Sequence, residues 1–451
     1  MPTQRARLPV GGPGTPGIRT DEAPGVATPD APTVAPDAAT ASPAATLAAT
    51  RPLLHRTFEA LGHRDFRIFY LGQLISVTGT WMQTVAQGWL VLILTGSPLL
   101  LGVTQAARTL PILFLSLPAG IVADRMDRRM VILVADIFML VLSATLAILT
   151  LTGNVTIEAI LLIGAGLGVA NAFEMPARQS LVVQLTGRKL LANAIALNSL
   201  LFNTARVVGP ALAGLLVALA GPGIAFTVNA FTYIPILACL LLIAPRPVER
   251  ATGRMGGAML EIGRYLRDQP VVAMLLVLLA ANTVFASGYL FLGPALARDL
   301  GQGAEGLGLI LSAAGVGAVA AGLRMAALAG RRGLARVLLV AALILGGSLV
   351  LVAFSSYFIV TMVLMLAVGW GTVTYSATSN TVIQTIVPEI LRGRVMSLYT
   401  VVMVGLMPIS GLFLGFLADR LGTAAAMGIG GAIWGVAAVS AFAASARLRS
   451  L

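Results

Sequence analysis

Ten residues, Gly120-Ile121-Val122-Ala123-Asp124-Arg125-Met126-Asp127-Arg128-Arg129, place five charges between two long apolar runs. A turn that short is a cap between two helices emerging from lipid into water. Gly120 and the alanine before Asp124 allow two helix ends to approach closely. Asp124 offers one carboxylate, and Arg125, Arg128 and Arg129 offer planar donors that can grip a carboxylate or a helix C-terminus. A latch of this kind can be made and broken as packed units rock.

A second constellation precedes it. Gln73, Ser76, Thr80, Gln83 and Gln87 are separated by three, four, three and four residues, which puts all five on one face of a helix. A buried amide without a partner costs about 1–3 kcal/mol, so this face meets a water-filled cavity or acts as polar glue between helices. Five positions exceed what packing needs and favour the cavity. Thr372, Ser376 and Ser379 repeat the pattern later in the chain, and Asn282 and Tyr289, seven apart, share a helical face.

Charges inside the apolar runs are few. Arginine at mid-bilayer costs about 2.5–3.5 kcal/mol on insertion scales, so Arg108 and Arg206 should face the interior, as ligands for a substrate or satisfied by carbonyls. No carboxylate is clearly at their depth, which favours anionic or polyphenolic ligands over lipophilic cations. Asp136 could pair with Arg108, although the two differ in depth by roughly 10 Å at 1.5 Å per residue. Glu174 and Arg178, four apart, can satisfy each other, and Glu158 belongs at an outer mouth. Asp136, Glu174 and Glu158 are the candidates for carrying a proton. Enzymatic readings fail: the sequence contains no His/Cys ligand cluster, phosphate-binding Gly-Lys loop or nucleophile with a nearby histidine. Neither a cofactor nor a metal is expected, and energy must come from an ion or substrate gradient.

The elements that hold these residues follow from composition. The chain is 57% hydrophobic and 11% charged, with a mean hydropathy of +0.91, outside the range of soluble domains. An all-α integral membrane protein is implied. A net charge of +12 could suggest nucleic acid, but the arginines fall in short clusters between apolar runs and no basic stripe interleaves with aromatics. Cys239 is the only cysteine, so no disulfide forms.

Residues 1–60 are rich in Pro, Ala, Thr and Gly and should form a disordered tail. Twelve spans follow, at 66–94, 98–121, 130–152, 156–181, 190–219, 223–244, 270–297, 305–327, 334–354, 357–384, 394–417 and 423–445. Of the thirty basic residues, all but four then fall on the face that carries both termini. Arg298 and Arg420 lie opposite, and Arg108 and Arg206 lie within spans. The positive-inside rule makes the basic face cytoplasmic. Spans one to six (61–244) and seven to twelve (270–451) form two repeats joined by a cytoplasmic linker, 245–269. There Met259, Ile262, Tyr265 and Leu266 make one apolar face of a surface helix. The second repeat has lost the hinge's acidic partner, since Gly317 to Arg336 keeps only basic residues. Gly415-Phe416-Leu417-Ala418-Asp419-Arg420 copies the hinge in letters but belongs to the outer face by span count.

Gly-x-x-x-Asp-Arg-x-x-Arg-Arg resembles the loop between the second and third helices of the major facilitator superfamily, with Asp127 in place of the usual glycine. Gly79-Thr80-Trp81-Met82-Gln83-Thr84 with Leu94-Thr95-Gly96-Ser97-Pro98, then Pro176-Ala177-Arg178-Gln179, then Arg206-Val207-Val208-Gly209-Pro210-Ala211-Leu212-Ala213-Gly214 resemble its drug and siderophore efflux branch. The resemblance runs from about Phe66 to the C-terminus. It implies twelve helices in two six-helix bundles, working as a monomer in the cytoplasmic membrane and exporting a small molecule by alternating access with proton coupling. Arg206, Gly209, Pro210 and Gly214 resemble the fifth-helix antiporter motif, with Ala213 where a first glycine is usual. The residues themselves show a bend at Pro210 and close packing. An importer or facilitator on the same fold, and a receptor or scaffold that moves nothing, remain alternatives.

Overall fold

A computed structural model describes residues 58–243, 258–327 and 333–449. The expected tail lies outside these residues except for its last three, and so does the linker before Ala258. Every described element is helical. The twelve membrane helices are α1 Arg64–Thr95, α2 Pro98–Arg125, α3 Arg128–Leu151, α4 Ile157–Gly187, α5 Asn193–Ala220, α6 Pro222–Leu242, α7 Pro270–Asp299, α8 Ala304–Ala327, α9 Leu334–Ala353, α10 Phe358–Ile386, α11 Leu391–Leu421 and α12 Thr423–Ala444. Eleven of these are apolar enough to cross a bilayer on composition alone, and α1 is not among them. Its polar stripe lowers its hydropathy, so α1 depends on neighbours to shield it from lipid. A short helix, Ala258–Asp268, stands in the expected linker position, and its side chains at 258–262 lie outside the described residues.

Two local features set the chain's course. A continuous helical run from Ile157 to Ala220 bends at Gly187, whose φ of 70° is open to glycine at little steric cost. The bend separates α4 from α5. At the start of the chain a 3-10 turn, Glu59–Gly62, is tied down by the Ala60 N–H donating to Asn193 Oδ1 at 2.9 Å. The end of the expected tail is therefore packed against the start of α5.

Glycine sets the helix spacing. A methyl group at Gly168 would collide with the Arg108 carbonyl, bringing α4 onto α2, and one at Gly209 would meet Trp81 and the Thr78 carbonyl, bringing α5 onto α1. Gly317 and Gly369 set α8 against α10 in the same way, and Gly346 sets α9 against α12. The two six-helix sets meet along two seams. Gly102 abuts the Gly411 backbone where α2 crosses α11, and Gly214 abuts Gly308 where α5 crosses α8. Without a hydrophobic drive between helices in lipid, close backbone approach of this kind supplies the dispersion contact that holds them.

Both seams lie toward the face opposite the termini. There Ser97 Oγ donates to Asp419 Oδ1 at 2.9 Å, and Arg298 Nη1 donates to the Gly96 carbonyl at 2.9 Å. These contacts shut the bundle at that end.

Replacing Gly102 with valine forces a branched side chain into the Gly411 backbone, an overpacking that costs about 1–3 kcal/mol. The expected result is a lower Tm in detergent and faster labelling of a cysteine placed at Leu99, in a Cys239→Ala background. Unchanged Tm and labelling would mean that α2 and α11 do not touch there.

Candidate functional site

Between the two helix sets lies a cavity of about 450 Å³. From α1 come Gln73, Ser76, Thr80, Trp81, Thr84 and Gln87, and from α2 Thr104, Gln105 and Arg108. Asp136 enters from α3, Asn171, Glu174, Arg178 and Gln179 from α4, Asn198, Phe202, Arg206 and Pro210 from α5, and Tyr233 from α6. The opposite wall is apolar: Tyr289, Leu290, Phe291 and Pro294 of α7, Leu311, Ala314 and Gly315 of α8, and Met407 of α11. Amides and charges therefore stand on one side and rings and aliphatic groups on the other. Asn198 and Phe202 sit in the early turns of α5, and Arg178 and Gln179 in the last turns of α4. The cavity thus extends toward the termini-bearing end.

The polar wall is cross-linked. Arg108 Nη1 donates to Thr84 Oγ1 at 2.8 Å. Thr80 Oγ1 and Tyr233 Oη are 3.4 Å apart and share a hydrogen bond. Glu174 and Arg178 form a buried ion pair at 3.0 Å, with the Arg178 guanidinium 4.8 Å from the centroid of the Phe202 ring, and Gln73 also hydrogen-bonds Glu174. The Arg206 guanidinium lies 5.3 Å from the centroid of the Trp81 ring, the geometry of a cation–π contact. Several buried polar atoms of this wall have no partner among the described residues: Gln73 Oε1, Gln87 Oε1, Asp136 Oδ2 and Arg206 Nε. A buried polar atom left unpaired is costly, and the side chains that carry these four all line the cavity.

Several expectations are corrected. Gln83 is buried but does not line the cavity; it accepts a hydrogen bond from Asn229 Nδ2, which also lies 3.4 Å from Ser143 Oγ. That position of the stripe is glue holding α1, α3 and α6 together. Arg108 does not pair with Asp136, whose charged neighbours are Glu174 and Arg178. Asp136 and Glu174 both line the cavity, so carboxylates share it with Arg108 and Arg206 after all.

In α7, Asn282 and Tyr289 are split: Tyr289 lines the cavity and Asn282 does not. A π turn over Asn282–Ala286 intervenes, and its extra residue breaks the 3.6-residue period on which a seven-residue pairing depends. Thr372 and Ser376 are also absent from the cavity. Thr372 Oγ1 turns back to the Val368 carbonyl at 2.8 Å, and the Ser376 carbonyl accepts from Tyr399 Oη at 3.0 Å. Glu158 is exposed in the first turn of α4, whose cap is Thr156.

The α5 motif packs closely, as its small residues suggest. Pro210 has no N–H for the Arg206 carbonyl, and Gly315 of α8 packs closely against that carbonyl, while Ser312 Oγ donates to the neighbouring Val207 carbonyl at 2.9 Å. The seam thus forms where proline disturbs the backbone ladder.

At the charged turn, Arg129 spans the C-terminus of α6, donating from Nη1 to the Ile243 carbonyl at 3.1 Å and from Nη2 to the Leu241 carbonyl at 3.0 Å. Asp127 caps α3, its Oδ1 accepting from the Arg129 N–H at 3.0 Å. An acid at this position has a local purpose, the first turn of a helix. Arg125 and Arg128 occupy the turn on either side, and the Asp124 side chain lies outside the described residues. Sequence reasoning missed Trp81, Thr84, Phe202, Asn198 and Tyr233. Thr84 stands one step past Thr80 on the stripe and was within reach of the same periodicity; the aromatic residues gave no such signal.

Residues 55–450 match the profile of a family described as transmembrane secretion effector. The multidrug efflux pump Tap of Mycolicibacterium fortuitum is 28% identical over 77% of this chain and 88% of its own length. The enterobactin exporter EntS of Shigella boydii is 28% identical over 75% and 81%. A staphyloferrin A transporter of Staphylococcus aureus is 29% identical over 39% of this chain and 45% of its own length. Among solved structures, a D-xylose–proton symporter superposes with a TM-score of 0.69 at 13% identity, covering 83% of this chain and 96% of that one.

Asp127→Ala removes the α3 cap and should cost about 0.5–2 kcal/mol, as cap deletions do. Arg129→Lys should lower the Tm in detergent further than its retained charge suggests, because a single ammonium does not reproduce a planar fork spanning two carbonyls. Equal Tm values for Arg129→Lys and the unmodified protein would mean that the fork holds nothing.

Proposed function

We infer from one premise, that this chain belongs to the transmembrane secretion effector family of the major facilitator superfamily, that it is a secondary transporter moving a small molecule out of the cell by alternating access. Membership rests on the match over residues 55–450, and relatives named as an exporter and an efflux pump support the direction. The observation that carries the reading is the cavity, shut by the α2/α11 and α5/α8 seams and extending toward the termini face. With that face cytoplasmic, as the arginine distribution supports, this is the state in which an exporter loads. The cytoplasmic membrane, a monomer and cytoplasmic termini complete the proposal.

The substrate class follows from the wall chemistry. Arg108, Arg178 and Arg206 face Asp136 and Glu174 across one polar surface, a surplus of positive charge, with Trp81, Phe202, Tyr289 and Phe291 around it. This combination suits an anionic or polyphenolic molecule of drug or siderophore-like size better than a lipophilic cation. Arg108→Gln should weaken extrusion of an acidic substrate by about tenfold relative to a neutral one in an efflux-deficient host. Equal losses for both substrates would make Arg108 structural, and accumulation rather than extrusion by the unmodified protein would reverse the assigned direction.

Coupling to protons is assigned to the Asp136–Glu174–Arg178 cluster. Asp136 has a free carboxylate oxygen, and Glu174 is already engaged by Arg178 and Gln73. Protonation of Glu174 would release Arg178 for another partner, a route by which proton and substrate compete, and Asp136 is the neighbouring acid with an oxygen open to the proton. In proteoliposomes with an imposed pH gradient, Asp136→Asn should abolish gradient-driven accumulation while substrate exchange at equilibrium continues. Retained gradient-driven transport in Asp136→Asn and in Glu174→Gln would send coupling elsewhere.

A further inference from the structure

A second cleft lies away from the cavity, where the termini-face ends of α8 and α9 meet α10, with a volume of about 200 Å³. Arg324 and Arg336 line it, with Trp370 and Thr374. The Arg324 guanidinium stands 5.5 Å from the centroid of the Trp370 ring. Neither arginine forms an ion pair among the described residues, and the sequence from Gly317 to Arg336 contains no acidic residue to supply one. Thr374 is 2% exposed, yet its Oγ1 has no hydrogen-bond partner among the described residues. The cleft reaches the flank of the bundle, for Val340 in its wall is 48% exposed and Leu323, beside Arg324, is 66% exposed.

These features have one chemistry in common. Two unpaired guanidiniums and a buried hydroxyl with no partner are complementary to a phosphate group, since planar donor forks match its oxygens. A soluble phosphate would use only those donors. The flank position and the exposed aliphatic side chains ask for a ligand with a hydrocarbon portion as well, and basic pockets between helices at the headgroup level suit anionic lipids. We propose that this cleft binds an anionic phospholipid from the leaflet on the termini face. Arg324, Arg336 and Thr374 take the headgroup phosphate, and Leu323 and Val340 lie along an acyl chain. Trp370 holds the Arg324 guanidinium over its ring and so limits its freedom before the lipid arrives.

The test uses the purified full chain in detergent, offered phosphatidylglycerol and phosphatidylcholine in equal amounts. Native mass spectrometry reads retention, and thermal unfolding reads stabilisation. Phosphatidylglycerol should be retained preferentially and raise the Tm by mass action. The double variant R324Q/R336Q, altering two exposed residues, should lose about tenfold in retention, and Thr374→Val, nearly the same shape, should lose part of it. Equal retention of the two lipids would overturn the proposal, as would unchanged preference in R324Q/R336Q. If glycerol phosphate at the same concentration stabilised the protein as well as phosphatidylglycerol did, the cleft would be a site for a soluble anion and the lipid assignment would fall.

Discussion

Hydrocarbon offers no hydrogen bonds, so every polar group carried into it must find a partner inside the protein. The rest of this structure follows from how that demand is met. The helix least able to cross a bilayer on composition, α1, has its polar side chains bonded to α2, α4 and α6. Some of its side chains are then satisfied by neighbours, as Gln83 is by Asn229. Others, such as the carbonyl oxygens of Gln73 and Gln87, find no partner among the described residues although their side chains line the cavity. The cavity is thus the remainder of a packing problem that the helices do not fully solve among themselves.

What was legible in the sequence and what was not divide along physical lines. Helix positions were readable because a bilayer imposes length and apolarity, whereas the turn's three arginines could be given a carboxylate or a helix C-terminus as partner but spacing did not say that Arg129 would take the second. The stripe from Gln73 to Gln87 was readable as a face, but not the different fate of Gln83, because spacing does not say which neighbour carries an amide. The link between Asn282 and Tyr289 failed for a backbone reason, a π turn that leaves no mark in composition. The anticipated isolation of Arg108 and Arg206 from carboxylates failed because depth counted along α3 and α4 does not show that Asp136 and Glu174 line the same cavity.

The two walls of the cavity differ in more than polarity. The polar wall is held by hydrogen bonds from Arg108 to Thr84 and from Asn229 to Gln83, and by the Glu174–Arg178 pair, so it is stiff. Of the three helices that make the apolar wall, α8 is continuous, while α7 is broken by a π turn and α11 is interrupted near Met407. Interrupted helices absorb rotation more readily than continuous ones. A molecule bound across both walls would keep its polar contacts while its apolar surroundings shift.

The closed end of the bundle is sealed mainly by main chain against main chain, Gly102 on Gly411 and Gly214 on Gly308, with the Ser97–Asp419 and Arg298–Gly96 bonds at its rim. Glycine backbone carries no titratable group and no counterion atmosphere. Such a zipper is deaf to acidity and to salt, and it gains nothing from a particular ion on either side of the membrane. It releases only when one helix turns against the other, which makes it a mechanical fastener: energy stored in a gradient must reach it as torque from the polar wall, not as charge.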